Sequence, residues 1–290
     1  MNDSLPVMVA FDLLKVGHCT HPECMAMRGG KWGAVEFPSL VGLLEHPSRG
    51  LVLYDTGYAP RFEEATRRFP ECLYRFTTPM TLPREEELLG QLASRGIAPS
   101  DIGTVVISHF HADHVVGLRD FPGAKFLATR RERSENEGRG RLGRLRRAYL
   151  RALLPEDFED RVVYAEDCPL RPLGDGWLPF VEAFDLFGDG SLLGIDLPGH
   201  VASQLGLAFQ TEEEGAIFLV GDACWKIEAL AQDRTPSRLA YSIFADGKAY
   251  DETFASLRKL HEGGRRPLII PSHCDTTWKA RGGTRRIHRA

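Results

Sequence analysis

Four side chains that can bind metal ions lie close together in the run SHFHADH at positions 108–114; they are His109, His111, Asp113 and His114. Imidazole nitrogens suit zinc, and a carboxylate adds a hard oxygen ligand. A lone histidine would mean little, but four ligand-type residues at this spacing predict a metal centre.

The run follows a short apolar segment, TVVIS at 104–108, which is typical of a buried strand. If the chain leaves that strand in extended form, His109 and His111 point to the same side, because side chains alternate along a strand. A turn would then bring Asp113 and His114 beside them. This arrangement favours two adjacent metal ions over one.

Three further candidates each follow a strand-like run and a glycine or proline; they are His200 in PGH, Asp222 in VGD and His273 in IPSH. Glycine and proline allow a tight turn or a close backbone approach at a metal. Taken singly, either histidine is more often a surface or hydrogen-bonded residue, and the aspartate a turn residue. Together with the 108–114 run they predict one shared site.

The ordered set HxHxDH, GH, GD and SH resembles the metallo-β-lactamase superfamily, and LYDTG at 53–57 resembles its strand-ending DTG. The resemblance covers most of the chain and implies an αββα sandwich of the α/β class. It also implies an assignment of ligands: the first metal to His109, His111 and His200, the second to Asp113, His114 and His273, with Asp222 bridging both. Asp55 would hydrogen-bond a ligand histidine and fix its tautomer, although alone it reads as a turn residue.

The resemblance implies a hydrolase with two divalent metal ions. Zinc is the metal that so many imidazoles favour, while iron and manganese stay open. A hydroxide held between the ions would attack a carboxylic ester, lactone or thioester, with Asp113 and Asp222 as the catalytic residues. Aspartate at 222, where true β-lactamases tend to have cysteine, disfavours antibiotic hydrolysis.

Among the branches of the superfamily, the layout is most similar to the acyl-homoserine lactonases, including the gap lengths after His200. Two departures stand out. Those lactonases carry a tyrosine three residues after the bridging aspartate, where this chain has Trp225, and the gap from His114 to His200 is longer here. Both departures are consistent with a different or bulkier substrate.

The elements that must position these residues follow from periodicity. Strand-like runs at 5–16 and 39–56 precede a surface helix predicted at 83–95, and further runs at 179–187, 191–197, 204–210 and 215–220 predict a second, antiparallel sheet. A helix is predicted at 246–261, before a strand at 268–270. Two sheet-forming halves with helices between and after them predict a layered helix, sheet, sheet, helix sandwich in a single domain, residues 1–290.

A basic, partly helical insertion at about 129–160 interrupts this pattern; its arginines are Arg130, Arg131, Arg133, Arg139, Arg141, Arg144, Arg146, Arg147 and Arg151. One interpretation is a solvated helix whose arginines pair with Glu156, Asp157, Glu159 and Asp160. The other is a cap that draws anionic substrates to the site. With the basic tail at 281–289, the insertion motivates an alternative function as a phosphodiesterase or nuclease.

Composition limits the partners. The apolar and charged fractions of 43% and 26% are ordinary for a globular protein, and no stretch approaches the roughly 20 apolar residues of a membrane helix. A net charge of −4 gives no general reason to expect nucleic acid, so a small-molecule substrate is predicted, and a homodimer stays open. Residues 1–6 show no secretory signal, so a cytoplasmic location with six reduced cysteines is expected.

Aromatic residues near the ligands are candidates for an apolar substrate pocket, although most aromatics fill cores; they are Phe110, Trp225 and Trp32. The segment HCTHPEC at 18–24 contains Cys19 and Cys24 and is either a further metal or redox site or a loop over the mouth of the active site. A last alternative is a regulatory protein that keeps the metal site but turns over little.

Overall fold

The structure is a computed structural model that describes residues 7–263, 267–281 and 286–289. Within these ranges, seven strands form a first, mixed sheet in the order β4-β1-β2-β3-β5-β6-β7. Its strands are β1 (Ala10–Pro22), β2 (Ala34–His46), β3 (Gly50–Tyr54), β4 (Met80–Thr81), β5 (Ile102–Val106), β6 (Lys125–Ala128) and β7 (Val162–Tyr164). The expected strand from residue 5 begins, as far as the described residues show, at Ala10; residues 5 and 6 lie outside them.

A second sheet of six strands among the described residues has the order β13-β12-β11-β10-β9-β8. Its strands are β8 (Leu170–Pro172), β9 (Glu182–Asp185), β10 (Leu193–Asp196), β11 (Leu205–Thr211), β12 (Gly215–Leu219) and β13 (Leu268–Ile270). Neighbours are antiparallel except β12 and β13, which are parallel because a helix connects them. The predicted antiparallel sheet is therefore confirmed apart from this edge.

Helices cover the outer faces of both sheets. Those described are α1 (Glu23–Ala26), α2 (Arg61–Ala65), α3 (Cys72–Thr77), α4 (Leu88–Ala93), α5 (Ala112–Val115), α6 (Arg130–Glu137), α7 (Arg141–Arg146), α8 (Phe158–Arg161), α9 (Ile227–Ala231), α10 (Gly247–Glu262) and α11 (Asp275–Arg281). No helix in the described part of the chain is long and apolar enough to cross a membrane.

Three layers of apolar side chains hold the sandwich together. Phe11 and Leu44 of the first sheet pack with Leu207 and Leu219 of the second between the two sheets. The opposite face of the first sheet packs against α2 and α4, and the opposite face of the second packs against α10. Because both faces of each sheet are covered, the αββα expectation is confirmed.

The predicted helix at 246–261 is confirmed as α10. The carboxylate of Asp246 caps it by accepting hydrogen bonds from the backbone N–H groups of Lys248 and Ala249 at 2.9 and 3.1 Å. Phe254 and Leu257 lie at helical spacing and are buried against the second sheet. Its C-cap is Gly263, and the neighbouring residue 264 lies outside the described part of the chain.

The helix predicted at 83–95 is shorter than expected. A single 3-10 turn covers Arg84–Glu86, and α4 begins only at Leu88. Glu87 between them has an extended backbone, with ψ of 127°, which breaks the helical hydrogen-bond ladder.

The insertion is helical in part, as α6, α7 and α8 show, but its arginines have other partners than expected. Of the four predicted acidic partners, Glu159 pairs with Arg133 at 2.7 Å, while Asp157 pairs with Arg161 instead. The other described pairs use acids from α6, from the α2–α3 segment and from the segment before β8: Arg133–Glu137, Arg139–Glu135, Arg144–Glu137, Arg151–Glu137, Arg141–Glu71 and Arg130–Asp167. Two of these pairs, Arg141–Glu71 and Arg130–Asp167, join the insertion to neighbouring segments, and the others lie within it.

Candidate metal centre

The site lies at one edge of the first sheet, where the parallel strands β3 and β5 end side by side. Asp55 follows β3 with a left-handed backbone, φ of 63°, which turns its carboxylate under the loop that follows β5. That carboxylate accepts hydrogen bonds from the Ser108 backbone N–H at 2.7 Å and from the Ser108 hydroxyl at 2.8 Å. The aspartate of the strand-ending DTG therefore fixes the start of the histidine run through Ser108.

The structure brings all seven predicted ligand residues together in two groups. Within each group one ligand atom per residue lies within 4.8 Å of the others. The first group is His109, His111, His200 and Asp222, and the second is Asp113, His114 and His273. All seven side chains are buried. These residues are separated by up to 164 positions in sequence and meet because each lies shortly after a strand, with Asp113 and His114 in the short helix α5 that follows β5.

Asp222 lies between the two groups, with one oxygen toward each. Its Oδ2 is 3.3 Å from Nε2 of His200, and its Oδ1 is 3.1 Å from Nε2 of His273. Asp113 Oδ2 lies 3.4 Å from the same atom of His273. One carboxylate oxygen for each group is the geometry that a ligand bridging two cations requires.

Hydrogen bonds on the far side of the rings fix which nitrogen faces the centre. His114 Nδ1 lies 2.7 Å from Asp55 Oδ2, and His273 Nδ1 lies 2.7 Å from the carbonyl oxygen of Pro38. Both nitrogens must donate, because these partners accept, so Nε2 of each ring is directed inward with a lone pair in the neutral tautomer. The contact between Asp55 and His114 is the one that the sequence analysis expected, in which Asp55 fixes the tautomer of a ligand histidine.

Two glycines allow the chain to pass close to the centre. Gly199 has φ of +130°, and a Cβ there would lie 2.2 Å from the backbone nitrogen of Tyr250. Gly221 has φ of +53°, beside the amide of Gln204. Since both glycines directly precede candidate ligands, they serve the close backbone approach predicted from the sequence.

The donor atoms fit divalent cations. Nε2 of His109 and of His114 and Oδ1 of Asp222 are buried and have no hydrogen-bond partner among the described residues. Leaving buried polar atoms unpaired costs about 1–3 kcal/mol each, so their convergence indicates a ligand that the protein atoms themselves do not supply. Five imidazoles and two carboxylates form a nitrogen-rich set suited to zinc-type metals.

The electrostatics divide the histidines. Burial, reinforced by neighbouring imidazoles, lowers the pKa of His109 and of His111 well below the usual value, so both rings are neutral and ready to bind a metal. Burial would also lower the pKa of His114, but the carboxylates of Asp113, Asp55 and Asp222 outweigh it and raise that pKa to about 10. Without a cation, His114 therefore holds a proton that a cation would displace.

A cavity of about 360 Å³ opens above the two ligand groups. Its walls are mainly apolar and aromatic, and no lysine or arginine lies among the described residues that line it. The lining is Cys19, His21, Pro22, Met25, Ala26, Phe37, Tyr58, Tyr74, Thr77, Thr78, His111, Asp113, Ala148, His200, Asp222, Trp225, Ile243 and His273. Mainly apolar and aromatic walls with a few polar groups are typical of a pocket for a small molecule.

The aromatic predictions had different outcomes. Trp225 lines the cavity. Phe110 does not: only 1% of it is exposed, and its ring packs against Tyr149 and Phe158 in the core. Trp32 is 81% exposed and lies outside the lining. Phe110 turns inward because side chains alternate along the extended run, which directs the residue between His109 and His111 to the opposite side.

The segment at 18–24 forms part of the cavity wall through Cys19 and His21. Burial raises the pKa of the Cys19 thiol to about 12, so it is not a thiolate ligand near neutral pH. Neither cysteine of this segment belongs to a potential metal group found among the described residues, and both are free thiols. The expected loop over the mouth is wrong in form, because the segment is the end of β1 and the start of α1, but it does line the cavity.

Several supporting residues were missed by the sequence analysis. Ser108 hydrogen-bonds Asp55 and contacts His109 Nδ1 at 3.0 Å, and its position beside the histidine run was an available signal. Gln204 accepts a hydrogen bond from the backbone of Asp222 at 3.1 Å. Buried Glu132 of α6 accepts one from the backbone of Phe110 at 3.1 Å. Neither of the last two stands in a recognisable motif.

Comparison with known proteins agrees with this geometry. A family model described as the metallo-beta-lactamase superfamily matches residues 34–241. The N-acyl homoserine lactonase AttM of Azorhizobium caulinodans is 25% identical over 259 residues, covering 87% of this chain and 88% of that protein. The N-acyl homoserine lactonase AiiB of Agrobacterium fabrum is 27% identical over 220 residues, covering 73% and 71%.

Solved structures show the same fold. A Bacillus thuringiensis AiiA variant with N-decanoyl-L-homoserine bound at its active site superimposes with a TM-score of 0.69 at 18% identity, covering 95% of this chain and 97% of that one. AidC, a dizinc quorum-quenching lactonase in complex with a product, gives a TM-score of 0.64 at 15% identity, covering 94% and 90%.

Proposed function

This chain belongs to the metallo-β-lactamase superfamily and is a metal-dependent hydrolase, and from that premise we propose that it opens the ring of uncharged, apolar lactones. The observation that carries the proposal is the position of the two ligand groups, with Asp222 between them, beside an apolar cavity that several of these residues line. The proposed ligands are the three histidines at 109, 111 and 200 for one cation and Asp113, His114 and His273 for the other.

The residues of the chain have separate tasks in this reaction. Two divalent cations, when bound, supply water activated at neutral pH and polarise the carbonyl oxygen of the substrate. The carboxylate of Asp113 lines the cavity and can hold the proton released as water attacks the carbonyl carbon. The same carboxylate can return that proton to the ring oxygen when the carbon–oxygen bond breaks. Asp55 keeps His114 in the orientation that binds a cation.

The walls of the cavity decide among the substrate classes. A nucleic acid or a glutathione thioester carries negative charge away from the reacting group, where the metal ions do not neutralise it, and cationic side chains on the walls would favour such a substrate. The described lining has none, whereas it offers apolar and aromatic contacts through Met25, Phe37 and Ile243. A neutral lactone or ester, with an apolar chain attached, matches these walls.

The described arginines of the basic tail, which helped to motivate a nuclease, are paired with acidic side chains. Arg281 forms a two-pronged ion pair with Glu214 at 2.5 and 2.6 Å, and Arg286 pairs with Glu213. Arg289 lies 3.4 Å from Asp101. Residues 282–285 of the basic tail lie outside the described part of the chain. The described arginines of the tail are bound to acidic groups on the protein and offer little free positive charge to a polyanion, which favours a lactone as substrate.

The relatives point the same way. AttM and AiiB are named N-acyl homoserine lactonases, so an acylated homoserine lactone is the first substrate to test. Zinc is the proposed metal, since the donor set is rich in imidazole. The cytoplasmic location and the single-domain organisation stay predictions.

The test is a substrate screen with purified, zinc-loaded protein. We expect hydrolysis of N-acyl homoserine lactones and simpler lactones, weaker hydrolysis of p-nitrophenyl esters, and no cleavage of bis-p-nitrophenyl phosphate. His111→Ala should lose both zinc and activity, while His288→Ala, an exposed histidine remote from the ligands, should keep both. Fast phosphodiester cleavage with inert lactones would reverse the proposal.

A further inference from the structure

The indole of Trp225 touches the carboxylate that joins the two ligand groups. Its Nε1–H donates a hydrogen bond to Oδ2 of Asp222 at 3.0 Å. We infer that Trp225 is a positioning residue: it holds the Asp222 side chain in the one rotation that directs an oxygen toward each group. The inference rests on the proposed function, because it takes Asp222 as a metal ligand.

The backbone of Asp222 is fixed independently of this contact. Its N–H donates to Oε1 of Gln204 at 3.1 Å, and Gln204 in turn donates to the carbonyl oxygen of Val220 at 2.8 Å. These hydrogen bonds fix the backbone position of Asp222 but not the orientation of its carboxylate plane. The contact with Trp225 supplies that second restraint.

The turn of the plane matters because the two oxygens have different neighbours. Oδ2 lies 3.3 Å from His200 Nε2, and Oδ1 lies 3.1 Å from His273 Nε2. Rotation of the carboxylate would move both oxygens away from these positions at once. A hydrogen bond to one oxygen prevents this rotation, and that oxygen keeps a lone pair for a cation.

The indole is itself held in place. Its ring makes edge contacts with His200 and with Phe244, at centroid distances of 5.7 and 5.8 Å. Because packing already fixes the ring, the hydrogen bond to Asp222 costs little additional entropy. An indole N–H can only donate, and its hydrogen bond is stronger to an anionic carboxylate, the form that a metal ligand takes, than to a neutral acid.

The hydrogen bond to Asp222 also limits what Trp225 can offer a substrate. Trp225 has a single N–H, and Asp222 occupies it. Trp225 also lines the cavity, so its side chain offers the substrate apolar contact rather than a hydrogen bond. The tryptophan thus acts on the reaction through Asp222.

Metal binding by a variant that keeps the ring and loses the donor tests the inference. Trp225→Phe should bind zinc about 10- to 100-fold more weakly than the wild type in competition with a chromophoric chelator. The visible absorption spectrum of the cobalt-substituted variant should also change. Trp177→Phe, the same substitution at a tryptophan that packs against Phe218 away from the ligands, should leave both unchanged.

A second pair of variants separates positioning from general damage. In an Asp222→Ala background, which leaves no acceptor for the indole, Trp225→Phe should change the remaining zinc affinity less than twofold. An additional loss in that background would mean that the tryptophan acts by packing alone and would overturn the inference. So would wild-type zinc affinity and an unchanged cobalt spectrum in Trp225→Phe. If instead the wild type bound no metal, the proposed function itself would fail.

Discussion

The backbone of Tyr149 pairs with that of His111 in an isolated antiparallel bridge. Tyr149 belongs to the arginine-rich insertion, and its hydroxyl accepts a hydrogen bond from Arg133 at 2.8 Å and donates one to Glu137 at 2.9 Å. From the other side, Glu132 accepts a hydrogen bond from the backbone between His109 and His111. The insertion therefore supports the ligand run directly, a role that neither interpretation from sequence included.

Glu132 should make stability depend on pH. Burial raises its pKa from 4.5 to about 8, so between these values the folded protein holds a proton that the unfolded chain has lost. The free energy of unfolding must then fall as pH rises through this window. Glu132→Gln keeps an acceptor for Phe110 and cannot ionise, so it should be more stable than the wild type at pH 8 by about 1 kcal/mol or more, and not at pH 4.5.

Urea unfolding of metal-free protein at several pH values measures this difference. Glu135→Gln, in the same helix but exposed, is the matched control and should follow the wild type. Parallel curves for wild type and Glu132→Gln across the window would contradict the assignment.

Metal uptake should release protons. The carboxylates around His114 hold its pKa at about 10, so at pH 7 its Nε2 carries a proton that a cation must displace. The apparent zinc affinity should therefore rise about tenfold per pH unit for each displaced proton, up to pH about 10. Calorimetric titration in buffers of different ionisation enthalpy counts the protons, and a count of zero at pH 7 would show the prediction to be wrong.

Removing the partner of His114 should weaken the second ligand group. In Asp55→Asn the amide can no longer attract the imidazole proton as a carboxylate does, so zinc affinity should fall about 10- to 100-fold. Asp185→Asn changes another buried aspartate, one that accepts a hydrogen bond from Arg171 far from the ligands, and should bind zinc normally. Equal affinities in the two variants would exclude the role given to Asp55.

Arg147 should control the mouth of the cavity. Its guanidinium donates to the carbonyl oxygens of Ile243, at 3.1 Å, and Phe244, which joins the insertion to the opposite wall. The neighbouring Ala148 and Ile243 both line the cavity. Without these hydrogen bonds the two walls of the mouth are no longer joined, and the apolar chain of a substrate should bind more weakly. Arg147→Ala should therefore raise KM severalfold and change kcat less than twofold.

Steady-state kinetics with the best lactone of the screen measure this separation. The adjacent, exposed Arg146 provides the control, since Arg146→Ala removes an equal charge without removing the hydrogen bonds to Ile243 and Phe244. A fall in kcat with KM unchanged would place Arg147 elsewhere in the mechanism.

Gly199→Ala should be strongly destabilising. The residue has a left-handed φ of +130°, and the new Cβ would lie 2.2 Å from the backbone of Tyr250 in α10. Strain and steric overlap together should cost more than about 2 kcal/mol. Thermal unfolding checks this against Gly174→Ala, where a Cβ meets no atom within 4 Å; similar losses in both would contradict it.

The sequence alone predicted all seven residues that the structure brings together as candidate ligands. His109, His111, Asp113 and His114 are adjacent in the chain, and the other three ligand candidates each follow a glycine or proline at the end of an apolar run, which is a local and readable pattern. The two-sheet architecture was also predictable, because strand periodicity and the helical periodicity at 246–261 are properties of short segments. The short helix α4 was not, since one extended residue, Glu87, decided its start.

The sequence therefore determined which side chains could bind metal ions and which strands they follow. Tertiary structure alone decided that Asp222 presents one oxygen to each group, that Phe110 turns into the core while Trp225 faces the cavity, and that the insertion braces His111. The reason is physical: these outcomes depend on distances of about 3 Å between segments far apart in the chain, and local periodicity carries no information on them.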